Sequence, residues 1–274
     1  MSKVLNIGIV GCGAIGTSLA KIIMKEFSGQ ARLAALYDLD AVKAQKLSLA
    51  VSGSKKIAVG NLDALITRSG LVIESASSLC AWEIAKKVSC RSRDIMIMST
   101  GGITGHLKEL SALAKLKKSR VYIPSGAIAG IDALKAAKMG RIIKVTLITR
   151  KNPASFSGVK AIEEKRINLK TIRKDTVIFS GSAEQAVRSF PQNINVAAVL
   201  SLAGIGAKKT AVKIIASPSV KRNIHEIEVI SEAGTIFTRT ENIPHPDNRK
   251  TSFLAVLSAA AVLKQILAPV RIGT

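Results

Sequence analysis

An apolar run, Val4–Val10, passes directly into Gly11-Cys12-Gly13-Ala14-Ile15-Gly16 and then into apolar residues at helical spacing. The run is strand-length and apolar on both faces, which suits a strand covered by helices on both sides. Each glycine of the G-x-G-x-x-G spacing has its own physical use. Gly11 permits a tight turn, Gly13 lets backbone approach a pyrophosphate, and Gly16 allows close packing of helix on strand. A helix that opens at Ala14 and Ile15 presents unpaired N–H groups to an anion. Asp38 closes the second strand 22 residues after Gly16. A carboxylate there accepts hydrogen bonds from adenosine ribose hydroxyls and repels a 2′-phosphate. Leu39 follows, where an arginine would counter that repulsion. The expected cofactor is therefore NAD, with NADP possible at lower affinity.

The rest of the first half repeats the same unit. Leu33–Asp38, Leu71–Ser77, Ile95–Ser99 and Val121–Ile123 read as buried strands. Ile15–Phe27, Ala41–Leu49, Leu79–Val88 and Leu107–Leu116 read as helices between them. Such alternation gives right-handed crossovers and a doubly wound parallel sheet of the Rossmann type. Past residue 124 the rhythm changes. Ile143–Thr149, Thr176–Phe179 and Ala211–Ala216 are strand-like, Val196–Leu202 is flanked for a helix, and Ile224–Ile230 and Thr235–Thr240 alternate across a turn. The expected architecture is α/β: residues 1–123 as a dinucleotide-binding domain, and 124–248 as an α+β domain with a mainly antiparallel sheet. A long apolar helix, Thr251–Leu267, returns within 249–274 to the first domain.

Net charge decides which partners to consider. At +23 the chain invites a nucleic-acid reading, yet the excess is spread as +10, +9 and +4 over residues 1–123, 124–248 and 249–274. Aromatics make up 3% of the chain, too few for a base-stacking surface. The charges read as solvated faces, with no nucleic-acid partner expected. Cys12, Cys80 and Cys90 form no even disulfide framework and no metal-ligand spacing, so no metal is expected and the compartment is reducing. The longest apolar stretch, Phe253–Leu263, is too short to span a bilayer. These features suggest a cytoplasmic protein with no membrane partner.

A dinucleotide fold names no substrate, so the second half must. Four of its segments carry polar residues that a core does not need: Pro124-Ser125-Gly126-Ala127-Ile128-Ala129-Gly130, Pro191-Gln192-Asn193-Ile194-Asn195-Val196-Ala197-Ala198, Arg222-Asn223-Ile224-His225-Glu226-Ile227, and Asn242 through Ser252. In this order and over nearly the whole chain they resemble the L-aspartate dehydrogenase family, NAD(P)-dependent enzymes that oxidise aspartate to iminoaspartate. The resemblance implies that His225 is the catalytic histidine and that Ala127 and Asn195 lie beside the nicotinamide half of the cofactor. Arg249 departs from the proline expected before Lys250-Thr251-Ser252, and Lys151-Asn152-Pro153 matches only loosely.

Chemistry supports the same histidine. Oxidising a primary amine needs a neutral amine, hydride loss from the alpha carbon, and water attack on the imine if an oxo acid is the product. A neutral imidazole near pH 7 can accept and return those protons. Read from residues alone, His225 is equally a core histidine bonded to backbone, since alternation puts Ile227 and Val229 on its face. Glu226 points to the opposite face. A dicarboxylic amino acid also needs cationic or hydroxyl donors. Lys250, Thr251 and Ser252 suit this as residues opening the long helix, whose N-terminus adds positive potential, and Asn193 is a further candidate. They would equally serve as a plain helix start. Ser99 to Gly102 ends a sheet strand and is expected to touch cofactor or substrate, His106 reads as a surface residue, and His245 as a loop histidine held by its turn.

The expected reaction is oxidation of L-aspartate with NAD(P)+, the imine hydrolysing to oxaloacetate and ammonia or feeding NAD biosynthesis. A homoserine-dehydrogenase-like or dihydrodipicolinate-reductase-like oxidoreductase shares the architecture. A non-catalytic nucleotide-sensing or nucleic-acid-binding protein is the alternative of another class. The open sheet of the second domain suggests a homodimer.

Overall fold

Strand β1 (Leu5–Val10) buries its last four residues, and α1 (Ala14–Glu26) turns Gly16, Leu19, Ala20 and Ile23 inward at helical spacing. The chain continues through β2 (Ala31–Tyr37), α2 (Ala41–Ser52), α3 (Leu62–Arg68), β3 (Leu71–Glu74), α4 (Ala81–Cys90), β4 (Asp94–Ile97), α5 (Leu107–Lys117) and β5 (Val121–Tyr122). The computed structural model describes residues 4–190 and 195–273, the side chains of 249 and 250 excepted. Strands β1 to β5 form a parallel sheet in the order β2-β1-β3-β4-β5. The chain leaves β1 to one side and returns on the other as β3. The carboxyl ends of these two strands are thus the switch point where doubly wound sheets bind ligands.

Local chemistry sets the helix bounds. Asp40 caps α2 by accepting the Val42 N–H, and Gly53 ends it in a left-handed conformation. Helix α3 is absent from the sequence reading. Asn61 caps it by accepting the Ala64 N–H at 2.8 Å, but its seven residues are too few for a helical period to stand out.

The second unit contains α6 (Ile131–Ala137), β6 (Ile142–Lys151), α7 (Lys160–Glu164), β7 (Thr176–Ser182), α8 (Ala183–Ser189), α9 (Asn195–Ala203), β8 (Ala211–Ala216), β9 (Asn223–Ser231), β10 (Gly234–Asn242), β11 (Pro244–His245) and β12 (Asn248–Ser252). By compactness one unit holds the chain to Pro124 and again over Val256–Arg271, and the other holds Ser125–Ala255 with the residues from Ile272. The five-stranded sheet of the second runs β10-β9-β6-β8-β7. Its pairs are antiparallel except β6 with β8, which are parallel. One face buries Val145 and Leu147 of β6, Ile227 and Val229 of β9, and Val212 and Ile214 of β8. Along that same face the last rows turn polar, and these rows carry the candidate site.

One expectation is corrected here. Lys250, Thr251 and Ser252 do not open the long helix. Their backbone lies in β12, which pairs antiparallel with β11, Pro244 opposite Ser252 and His245 opposite Asn248. Pro246 and Asp247 turn the chain back on itself, and the Phe253 N–H donates to the Ile243 carbonyl at 3.0 Å. Helix α10 therefore begins at Phe253 and runs to Leu267. The helix-terminus potential invoked for those three residues has no basis. Within α10, Val256, Ala259 and Leu263 form one buried stripe in the cluster that holds Ile7, Leu19, Ile23 and Leu33. Each large aliphatic side chain buried there stabilises by about 1.5–3 kcal/mol. No described helix is long and apolar enough to cross a membrane.

Candidate active site

The glycine loop follows β1 at the switch point. Gly11 has φ +90°, and a Cβ on it would lie 2.6 Å from the Ser75 carbonyl oxygen. The Ser75 hydroxyl donates to the Gly11 carbonyl at 2.9 Å and to that of Val10 at 3.1 Å. A Cβ on Gly16 would lie 2.0 Å from the Gly11 oxygen. The chain's own packing therefore demands both glycines. Gly13 differs: a Cβ there would meet nothing within 4 Å. Its missing side chain leaves open space before α1, whose first turn has no acidic residue and whose start has no side-chain cap. Ala14 and Ile15 are the first residues of that helix. These residues fit a pyrophosphate, which would occupy the gap and meet the helix N–H groups.

Asp38 is held beside the loop. Its Oδ2 accepts the Cys12 N–H at 2.7 Å and its Oδ1 accepts the Asp40 N–H at 2.9 Å. Burial, together with the Asp38 charge and against that of Lys43, pushes the Cys12 thiol up to about 12. A thiol that stays protonated is packing, not a nucleophile. Glu74, which the sequence reading did not single out, is fully buried. It accepts the Ala76 N–H at 2.9 Å and the Ser99 N–H at 3.0 Å, and burial raises its pKa. It thereby ties the end of β3 to Ser99, which leads from β4 into a short turn over Thr100–Ile103.

In the second unit, the polar rows come from three strands. Register sets Thr149 of β6 opposite His225 of β9, and His225 opposite Thr240 of β10. His225 is 3% exposed, and its Nδ1 shares a hydrogen bond with the Thr149 hydroxyl at 3.0 Å. Burial, reinforced by the nearby charge of Lys151, pushes the imidazole down to about 3, so it is neutral. The Ala127 carbonyl accepts the Thr240 hydroxyl at 3.1 Å and the Asn242 amide at 2.9 Å. Ala127, Thr240, Asn242 and His225 are thus joined. Lys151, two residues beyond Thr149 on the same face, is 5% exposed, and burial lowers it to about 8. The sequence reading assigned no role to Thr149 or Thr240, and named Lys151 and Asn242 only as members of longer segments. The alternation Val145, Leu147, Thr149, Lys151 was visible, but which strand it would face was not.

The other candidates fall as follows. Asn195 opens α9 and is exposed, while Asn193 and the side chain of Lys250 lie outside the described residues. Thr251 is half-buried and Ser252 buried, both in β12. Glu226 takes the opposite sheet face, as alternation requires, and pairs with Arg150 and with Arg239, the latter at 2.6 Å. His245, expected in a loop, instead ends β11; it accepts the Asp247 N–H at 3.1 Å from the turn that follows and packs edge-on against Phe253. His106 is half-buried and stacks on Trp82 at 4.3 Å. The first unit thus offers an anion cradle beside a carboxylate, and the second a neutral imidazole beside a buried amine.

Known proteins divide the chain near the same point, between residues 124 and 132. Residues 132–266 match a family described as aspartate dehydrogenase, C-terminal. Residues 11–124 match one described as homoserine dehydrogenase, NAD binding domain. The chain is 43% identical over 272 residues to an L-aspartate dehydrogenase of Methanosarcina barkeri, covering 98% of this chain and 100% of that one. It is 45% identical over 274 residues to that of Methanosarcina acetivorans, at the same coverages. Among solved structures, the aspartate dehydrogenase of Thermotoga maritima superposes with a TM-score of 0.76 at 25% identity, covering 99% of this chain and 100% of that one. The match to homoserine dehydrogenase's NAD-binding family is confined to the first half, whereas aspartate dehydrogenases match throughout. The chain belongs to the L-aspartate dehydrogenase family.

Proposed function

We propose that this chain oxidises L-aspartate to iminoaspartate with NAD(P)+, through His225 as the residue that handles protons and water. One observation carries the reading: in a chain 43% identical to an L-aspartate dehydrogenase, the histidine that the resemblance singles out is a buried, neutral imidazole at the polar end of a sheet. If Nδ1–H donates to Thr149, Nε2 keeps its lone pair for a water or an amine proton. The cofactor, when bound, supplies the hydride acceptor. Residues Gly11, Gly13, Ala14, Ile15 and Gly16 hold its pyrophosphate, and Asp38 its adenosine ribose, favouring NAD over NADP. Ala127 and Asn195 serve its nicotinamide half. Thr251 and Ser252, with Asn193 and Lys250, serve the substrate carboxylates. In this reading the first unit is the dinucleotide-binding domain and the second the catalytic one. The protein works as a cytoplasmic homodimer whose product hydrolyses or enters NAD biosynthesis.

The test is the NADH absorbance band, followed with purified protein, NAD and a panel of amino acids. Aspartate-dependent reduction is the expected result. Activity with homoserine alone, or cofactor binding without turnover on any substrate, overturns the reading.

A further inference from the structure

Lysine is seldom buried, because removing an ammonium from water is expensive. Lys151 is buried nonetheless, at the end of β6, in the row next to the Thr149–His225 pair. Arg150, the residue before it, takes the opposite face and pairs with Glu226 and Asp175 there. The register partner of Lys151 on β8 is Ala216. The titratable group facing it from β9 is His225. The face is apolar through Val145 and Leu147 and changes character only at Thr149 and Lys151, so a buried amine and a buried imidazole share one small polar region.

We propose that Lys151 is a second catalytic residue, the base that takes a proton from the substrate ammonium, leaving His225 to manage water. This rests on the reading of the site given above and divides its two proton tasks. Aspartate arrives with its amine protonated, and nitrogen must free a lone pair before the C=N bond can form. One ammonium proton passes to the Nζ lone pair of Lys151 in its deprotonated form, which becomes an ammonium. The freed nitrogen pair then forms the C=N bond as the Cα–H bond breaks. Its two electrons leave as hydride to the oxidised nicotinamide, and the positive charge remains on the iminium. Basicity sorts the two residues. An imidazole held at about 3 is the weaker base of the two for an ammonium proton, whereas an amine lowered to about 8 is matched to that transfer near neutral pH.

The experiment compares wild type with Lys151→Met, Lys151→Arg and Lys151→Ala, recording aspartate-dependent NADH formation across pH. Lys151→Met should lose about 10²–10⁴ in kcat with KM changed by only a few-fold. Its rate should climb with pH without the wild-type inflection near 8. Lys151→Arg keeps the charge but cannot act as base, so it should be as slow. Methylamine in the assay should restore part of the rate to Lys151→Ala, a rescue that a purely structural lysine would not show. The proposal is overturned if Lys151→Met turns over near the wild-type rate. It is also overturned if the defect lies wholly in KM and arginine repairs it, the signature of a carboxylate anchor, or if amines rescue nothing. A wild type that makes no NADH from aspartate sinks the function itself, a failure distinct from these.

Discussion

In the first unit, the groups that would meet a ligand are backbone N–H groups and the gap left at Gly13. In the second they are side chains delivered by β6, β9 and β10. The first arrangement is written in six consecutive residues, Gly11 to Gly16, because a turn and a helix start are local. The second is written nowhere contiguously: Thr149 and His225 are 76 residues apart and meet only through strand register. Breaking each kind of site should therefore look different. A backbone site fails when an atom is added; a side-chain site fails when one is removed.

The largest effect expected is at His225. His225→Ala should lower kcat by about 10²–10⁴ while NAD affinity, measured by titration, stays within a few-fold. Near-normal turnover would remove the histidine from the reaction and leave it a core residue bonded to Thr149. Its burial also sets a stability signature. The folded pKa of about 3 lies below the ordinary value of 6.5, so between the two the unfolded state binds more protons. Stability should fall as pH drops from 6.5 towards 3, by up to about 1.4 kcal/mol per pH unit from this group. Chemical denaturation of wild type and His225→Ala at several pH values isolates that slope. Equal slopes would mean that the imidazole is not held neutral.

The glycine loop supplies the contrasting pair. In Gly16→Ala the added carbon meets the Gly11 carbonyl at 2.0 Å, and neither backbone can move freely. The expected loss is about 3 kcal/mol of stability. In Gly13→Ala the carbon meets nothing within 4 Å, so stability should change by only about 1 kcal/mol. NAD affinity should nevertheless fall more than about tenfold, because the carbon occupies the space assigned to the pyrophosphate. Should Gly13→Ala bind NAD normally, the open space would have no ligand to explain it.

The same contrast accounts for what could be read from sequence. The apolar strands of the parallel sheet and the helices between them were legible because burial on both faces leaves a continuous run, and a long helix repeats its stripe. Helix α3 was not, being too short to show a period. The short hairpin before α10 was not either, since Thr251 and Ser252 after two prolines suit a helix start as well as a strand. His225 stood out through its neighbours in an Asn-x-His-Glu-Ile stretch. Lys151 was one of 41 basic residues, named only as the first of a loosely matching Lys-Asn-Pro stretch and given no role. Only the register that sets Thr149 against His225, and the polar turn of that face, give it a position. Charge count could not have found it, because burial and not charge makes it unusual.

The smallest effect is expected where a side chain serves the backbone site. Asp38 already accepts two N–H groups, from Cys12 and Asp40. An asparagine offers one acceptor oxygen in place of two, so Asp38→Asn leaves one of these donors without its partner, costing about 1 kcal/mol of stability. Its effect on cofactor choice has the opposite sign for the two cofactors. NAD loses a charged acceptor for its ribose hydroxyls and should bind a few-fold more weakly. NADP loses the repulsion between a carboxylate and its 2′-phosphate, which near a protein surface amounts to about 1–4 kcal/mol at contact distance. The ratio of the two dissociation constants should therefore move towards NADP by about tenfold or more, and less at high salt because the repulsion is screened. If wild type already saturates more tightly with NADP, or if the ratio does not move in Asp38→Asn, then Asp38 is only a brace for the Cys12 turn. Cofactor choice would then rest on residues other than this carboxylate.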